Sequence, residues 1–144
     1  MNNIIIMALP IALVIFSNVF YNISTKYTPN SANPFLSLTA TYVIAAVLSF
    51  AAFCVGGNVR NIAGEVSKLN WSALLLGISI IGLEVGYIYM YRAGWKISIG
   101  SLVANISLAC VLLVIGVIAF KESISIRQIA GMLVCLVGLA LITK

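Results

Sequence analysis

The sequence predicts an all-α membrane protein, built as a bundle of five transmembrane helices. Hydrophobic residues make up 62% of the 144 residues, charged residues make up 8%, and the mean hydropathy is +1.16. A soluble domain is nearer 45–50% apolar and about 25% charged. Apolar runs of about 20 residues, the length that crosses a hydrocarbon core, recur along the chain. They lack the alternation of membrane β-strands, so helices are expected rather than a barrel.

The five spans are expected within a single transmembrane domain over residues 1–144, at about residues 4–23, 34–55, 71–91, 97–120 and 126–143. The first follows Met1-Asn2-Asn3, which lacks the basic start of a signal peptide, so it is expected to stay as a helix. Pro34 suits the first turn of a helix, and Trp71 is typical of the headgroup boundary. Ser125 and Gln128 have the spacing of a capping box at the start of the fifth span.

The residue types exclude several classes of protein. The chain has no His and no Asp, which removes Ser-His-Asp catalysis and His-based metal sites. Its cysteines, Cys54, Cys110 and Cys135, are odd in number, lie in apolar runs and show no metal-ligand spacing. The basic residues are scattered singly, so no nucleic-acid partner is expected. We therefore expect neither an enzyme nor a metal or other cofactor.

The basic residues do not select an orientation in the membrane. With five spans, the eight Lys and Arg divide equally between the two faces: Arg60, Lys68, Lys121 and Arg127 on one, and Lys26, Arg92, Lys96 and Lys144 on the other. Orientation normally follows an excess of such residues on the cytoplasmic side. Either the balance is accidental, or the chain inserts in both orientations. Dual insertion would let an antiparallel homodimer reproduce the inverted repeats of larger transporters.

Glu84 is the strongest candidate functional residue, because it is the only charge inside a long apolar run. A carboxylate at the bilayer centre costs about 2.5–3.5 kcal/mol and normally faces a bundle interior or a water-filled cavity. There it can bind a cation or exchange it for a proton. The alternative is a carboxylic acid that bonds a neighbouring helix and serves only the fold.

Further polar side chains lie at helical spacing in the spans, and we take them with Glu84 as candidate substrate- or proton-binding residues: Tyr87, Asn18, Asn105, Asn22, Ser101 and Tyr91. Serine hydroxyls in membrane helices often serve only interhelical packing. The two tyrosines could equally belong to an interfacial aromatic belt. A primary amide brings four hydrogen-bonding positions, more than packing requires, so Asn18 and Asn105 remain open between structure and binding.

Two segments in the closing half of the chain, Tyr91-Arg92-Ala93-Gly94-Trp95 and Phe120 to Gly131 with Gly138 downstream, carry a family resemblance. They resemble the closing half of an EamA-type repeat of the drug/metabolite transporter superfamily. The matching fold markers are Glu122, Gln128, Gly131 and Gly138. Most members have two such repeats, so the chain is similar to a single half. In this it is similar in logic to the small multidrug resistance proteins, which dimerise antiparallel, but it has no acidic residue in its first helix.

The resemblance implies a half-size secondary transporter that works as an antiparallel homodimer. It would move a small metabolite or organic cation. Proton coupling through Glu84 is a separate expectation, which follows from the depth and charge of that residue and not from the resemblance. The alternative is a non-transport membrane subunit, or an assembly partner of another half-transporter. The expected location is a multi-pass position in the lipid bilayer of a prokaryotic inner membrane, because the loops are short.

Overall fold

The computed structural model describes residues 2–56 and 59–143, with the backbone alone for residues 2–5 and 60. Met1, Gly57, Asn58 and Lys144 therefore lie outside the described residues. The described chain is all-helical, with six α-helices and one short 3₁₀ turn at Val59–Asn61. The α-helices are α1 (Asn2–Lys26), α2 (Pro34–Gly56), α3 (Ile62–Val66), α4 (Trp71–Arg92), α5 (Ile97–Phe120) and α6 (Ile126–Thr143).

Five of these helices confirm the predicted fold class. They are long and apolar enough to cross a membrane, with α1 counted from Ile6 to Lys26. The predicted ends of the last two spans agree with α5 and α6, whereas α1 continues three residues beyond the predicted end at Ile23. Helix α3 was not predicted. It lies in the polar connection before α4, where Asn61 Oδ1 accepts a 3.2 Å hydrogen bond from the Gly64 N–H and caps the helix.

Two predicted helix starts have the side-chain contacts that the sequence pattern requires. Pro34 begins α2, and the preceding Asn33 accepts hydrogen bonds from the Phe35 and Leu36 N–H groups at 2.9 and 3.3 Å. At α6, the Ser125 N–H donates to Gln128 Oε1 at 2.8 Å, and the Gln128 N–H donates to Ser125 Oγ at 3.3 Å. Both contacts satisfy N–H groups that have no partner within the helix.

The described chain divides into two compact units, and its prediction as a single domain stays a prediction. The first unit contains residues 2–23 with residues 93–143, and in it α5 packs against α6. Cys110 Sγ on α5 lies 3.2 Å from Met132 Sδ on α6. Helix α5 ends at Phe120, and the capping residue that follows it, Lys121, has a φ of 54°. A glycine is the residue that usually adopts a positive φ at this position.

The second unit contains Ser24–Arg92, and in it α2 packs against α4. Leu38 on α2 and Ile88 and Tyr91 on α4 are its buried apolar side chains. Arg92 Nη2 donates to the Pro29 and Ala32 carbonyl oxygens, at 2.9 and 2.7 Å. These bonds hold the turn after α1 against the end of α4.

Candidate functional site

A polar groove lies on the first unit, between α1 and α5. Its polar residues are Asn18 and Asn22 from α1, and Ser98, Ser101 and Asn105 from α5. The apolar residues around them are Val14, Ile15, Val19, Ile23, Ile97 and Leu102, and the volume is about 570 Å³. This volume lies in the range of small-molecule sites. The polar groove brings together four of the seven candidate residues from the sequence, Asn18, Asn22, Ser101 and Asn105.

The asparagines of the groove hydrogen-bond along their own helices. Asn22 Nδ2 donates to the Asn18 carbonyl oxygen at 2.8 Å and also to Asn18 Oδ1. Asn105 Nδ2 donates to the Ser101 carbonyl oxygen at 2.8 Å and to Ser101 Oγ at 3.2 Å. Asn22 is only 5% exposed, whereas Asn18 and Asn105 are exposed. The i, i+4 spacing of each pair is what lets one side chain reach the other.

These bonds leave hydrogen-bonding positions open to a ligand. An asparagine amide has two N–H donors and a carbonyl acceptor. Within residues 2–56 and 59–143, Asn18 Nδ2, Asn105 Oδ1 and Ser98 Oγ make no hydrogen bond that the structure records. The groove therefore presents both donors and acceptors, and its lining residues carry no formal charge.

Glu84 lies half-buried on α4, in the second unit, and it interacts with other groups of the chain. One neighbour in electrostatic range is Tyr42 on α2. The Tyr42 hydroxyl is buried and has no hydrogen-bond partner in the described part of the chain. A buried hydroxyl without a partner costs about 1–3 kcal/mol. Tyr42 was not among the predicted residues, although a lone phenol in the apolar run of the second span was a visible signal.

Tyr42 also lines an apolar cavity of about 460 Å³ between α2 and α4. The other lining residues are Ala73, Leu74, Gly77, Ile78, Ile80 and Ile81, all on α4. A Cβ at Gly77 would meet no other atom within 4 Å, so the missing side chain leaves part of this space. Glu84 follows the cavity by one helical turn and is not among its lining residues.

Tyr87 and Tyr91 form an aromatic pair at the end of α4. Their ring centroids are 6.1 Å apart, with an angle of 42° between the planes. Tyr91 is 4% exposed, and Lys26 Nζ lies 5.6 Å from its ring centroid and donates to its carbonyl oxygen at 3.3 Å. A cation over an aromatic face is a stabilising contact. Tyr91 thus has a structural role, and a role for either tyrosine in binding stays a prediction.

Comparison with known proteins gives the family. A model of the EamA-like transporter family matches residues 4–144. A search of curated proteins and a search of solved structures each gave no match. The matched segment contains all five candidate spans, together with the polar groove and Glu84. This integral, multi-pass membrane protein therefore belongs to the EamA-like transporter family.

Proposed function

We propose that the chain is a half-size secondary transporter that works as an antiparallel homodimer and moves a small metabolite or organic cation. The polar groove is the observation that carries the proposal. Its five uncharged polar side chains lie on two helices that are long and apolar enough to span the membrane. Polar groups in hydrocarbon are costly without partners, and they commonly mark substrate pathways. Family membership supports transport as the reason for their presence.

Two properties of the chain support an antiparallel pair. Residues 2–56 and 59–143 contain five candidate spans, an odd number, and the basic residues of the sequence divide equally between the two predicted faces. A second copy in the opposite orientation would supply the inverted repeat that larger transporters carry in one polypeptide. It would also separate from lipid the groove that contains Asn18 and Asn105, which are exposed in the single chain.

In this proposal, Glu84 is the residue that couples transport to protons. It is the only acidic residue of the sequence that lies within the five candidate spans. A carboxylate at this depth can hold either a proton or a cation, and the two compete for the same group. Transport should therefore fall as the pH is lowered and the carboxyl group becomes protonated.

The test is transport by the purified chain in proteoliposomes, with ethidium as an organic cation and nicotinamide as a neutral solute. Glu84→Gln keeps the shape of the side chain and removes its charge, so we expect it to abolish the pH dependence and reduce proton-coupled transport at least about tenfold. Glu65→Gln is the control, because Glu65 pairs with Lys68 outside the spans at 2.6 Å. Full transport by Glu84→Gln with an unchanged pH profile would refute the coupling role.

The second candidate is a non-transport membrane subunit or an assembly partner of another half-transporter. The electrostatic interaction of Glu84 on α4 with Tyr42 on α2 favours it, since polar groups between two packed helices can serve the fold alone. In that case Glu84→Gln would leave activity of the assembly unchanged. Glu84→Leu, which also removes the hydrogen-bonding groups, would lower thermal stability in detergent.

A further inference from the structure

The residues that line the polar groove limit the class of ligand that can bind there. All of its lining residues are either apolar or uncharged and polar. An ion transferred into such a site loses part of its hydration and gains no opposite charge from the lining residues, which is unfavourable. A neutral solute avoids this cost, provided that its own polar groups find partners.

Three polar groups of the groove can serve as the hydrogen-bond partners of such a solute. Asn18 Nδ2 can donate, Asn105 Oδ1 can accept, and Ser98 Oγ can do either. Donors and acceptors presented together complement a group that carries both, as an amide or imide does with its C=O and N–H. The apolar residues of the groove, among them Val19 and Leu102, suit a flat or aliphatic body next to that polar edge.

We infer that the polar groove binds an electrically neutral solute that carries an amide-like hydrogen-bonding edge on an apolar body. This inference rests on the proposed transport function, and of the two substrate classes named there it selects the neutral metabolite. Glu84 lies in the other unit of the chain and is absent from the lining of the groove. Its charge is then available for the proton rather than for the substrate.

The probes that test this inference share one ring and differ in charge: nicotinamide is neutral, nicotinate is an anion, and 1-methylnicotinamide is a cation. Equilibrium dialysis of each labelled probe against the purified full chain in lipid nanodiscs measures binding without transport. We expect nicotinamide to bind at about 1 mM or below, and each charged probe to bind at least about tenfold more weakly. Equal binding of the three probes, or no binding of nicotinamide at this concentration, overturns the inference.

Variants then locate the site. Asn18→Leu and Asn105→Leu remove the amides at similar volume, so each should weaken nicotinamide binding at least about tenfold. Asn105→Asp should shift the preference towards 1-methylnicotinamide, a gain that a misfolded variant cannot give. Thr41→Val is the matched control, because Thr41 is a polar span residue on α2 whose hydroxyl donates to the Ser37 carbonyl oxygen, at 3.0 Å. Loss of binding in Thr41→Val as large as in Asn18→Leu would refute the groove as the site.

The same measurements separate this inference from the proposed function. Selective nicotinamide binding without any transport in proteoliposomes would keep the ligand class and reject the transporter. Transport of ethidium that depends on Glu84, combined with no nicotinamide binding, would keep the transporter and reject the neutral ligand.

Discussion

The polar side chains of the two units differ in kind. The first unit carries amides and hydroxyls in its groove, whereas the second places the Glu84 carboxyl group near the Tyr42 phenol. Amides bind ligands without a change of charge, and a carboxyl group can gain and lose a proton. This difference supports our proposal that the groove binds the solute and that Glu84 exchanges protons.

Tyr42→Phe tests the link between the phenol and Glu84. The Tyr42 hydroxyl is buried without a hydrogen-bond partner in the described residues, so its removal should raise the free energy of unfolding by up to about 1 kcal/mol. If Glu84 exchanges protons beside this hydroxyl, the same variant should also move the pH profile of transport. Thermal unfolding in detergent and transport at several pH values give the two readouts.

Tyr89→Phe is the control for this experiment, because Tyr89 lies on the same unit but is 53% exposed. It should change neither the stability nor the pH profile. A large loss of stability in Tyr42→Phe would mean that the hydroxyl has a partner that matters for the fold.

Helix ends show how local sequence controls the elements. The starts of α2 and α6 use Asn33 and the Ser125–Gln128 box, and both lie where the sequence predicts them. The end of α5 is different, since Lys121 adopts φ 54° and ψ 33° without being a glycine. Its N–H and that of Glu122 both donate to the Gly116 carbonyl oxygen, which closes the last turn. A Cβ in this conformation costs about 1–2 kcal/mol.

Lys121→Gly should therefore stabilise the end of α5. We expect the free energy of unfolding to rise by about 1 kcal/mol, because glycine adopts a positive φ without a steric cost. The measurement is unfolding of the purified chain in mixed micelles. Lys121→Ala is the matched control: it removes the same charged side chain but keeps the Cβ, so it should give no gain. An equal gain from alanine would assign the effect to charge instead of backbone strain.

At the scale of the whole molecule, the side chains that remain exposed on the five span helices indicate what must surround the chain. Large apolar side chains of α1, α2 and α4 remain exposed in the single chain, among them Met7, Leu36 and Leu74 at 74, 70 and 71%. Lipid tails can cover such apolar side chains, but they offer no hydrogen-bond partner to the amides of Asn18 and Asn105. The proposed antiparallel homodimer would shield the groove that carries these amides from lipid, while lipid covers the apolar side chains.

Orientation can be measured directly with single cysteines at Asn30 and Val66, which lie on either side of α2 and are both exposed. The background carries Ala at Cys54, Cys110 and Cys135, and the reagent is impermeant and applied to intact cells. We expect comparable labelling at both sites, because equal numbers of basic residues on the two faces give no orientation bias. Labelling at one site alone would reject dual insertion.

The sequence by itself determined the class of the protein, the number of spans and most of their ends. These properties are local: a span needs only a run of about 20 apolar residues, and a cap needs residues within one turn. Glu84 was visible for the same reason, as a charge in an apolar run. Helix α3, in the polar connection after α2, was not predicted. A helix of five residues with polar neighbours shows no long run of apolar residues.

Only the tertiary structure decided which faces of the helices meet. It brought Asn18 and Asn105 into one groove although they lie on α1 and α5, and it placed Tyr42 of α2 near Glu84 of α4. The sequence could not do this, because a helix that is apolar almost all round has no stripe to show which side faces a neighbour. In a bilayer, packing depends instead on close fit and interhelical polar contacts, which are properties of two helices together.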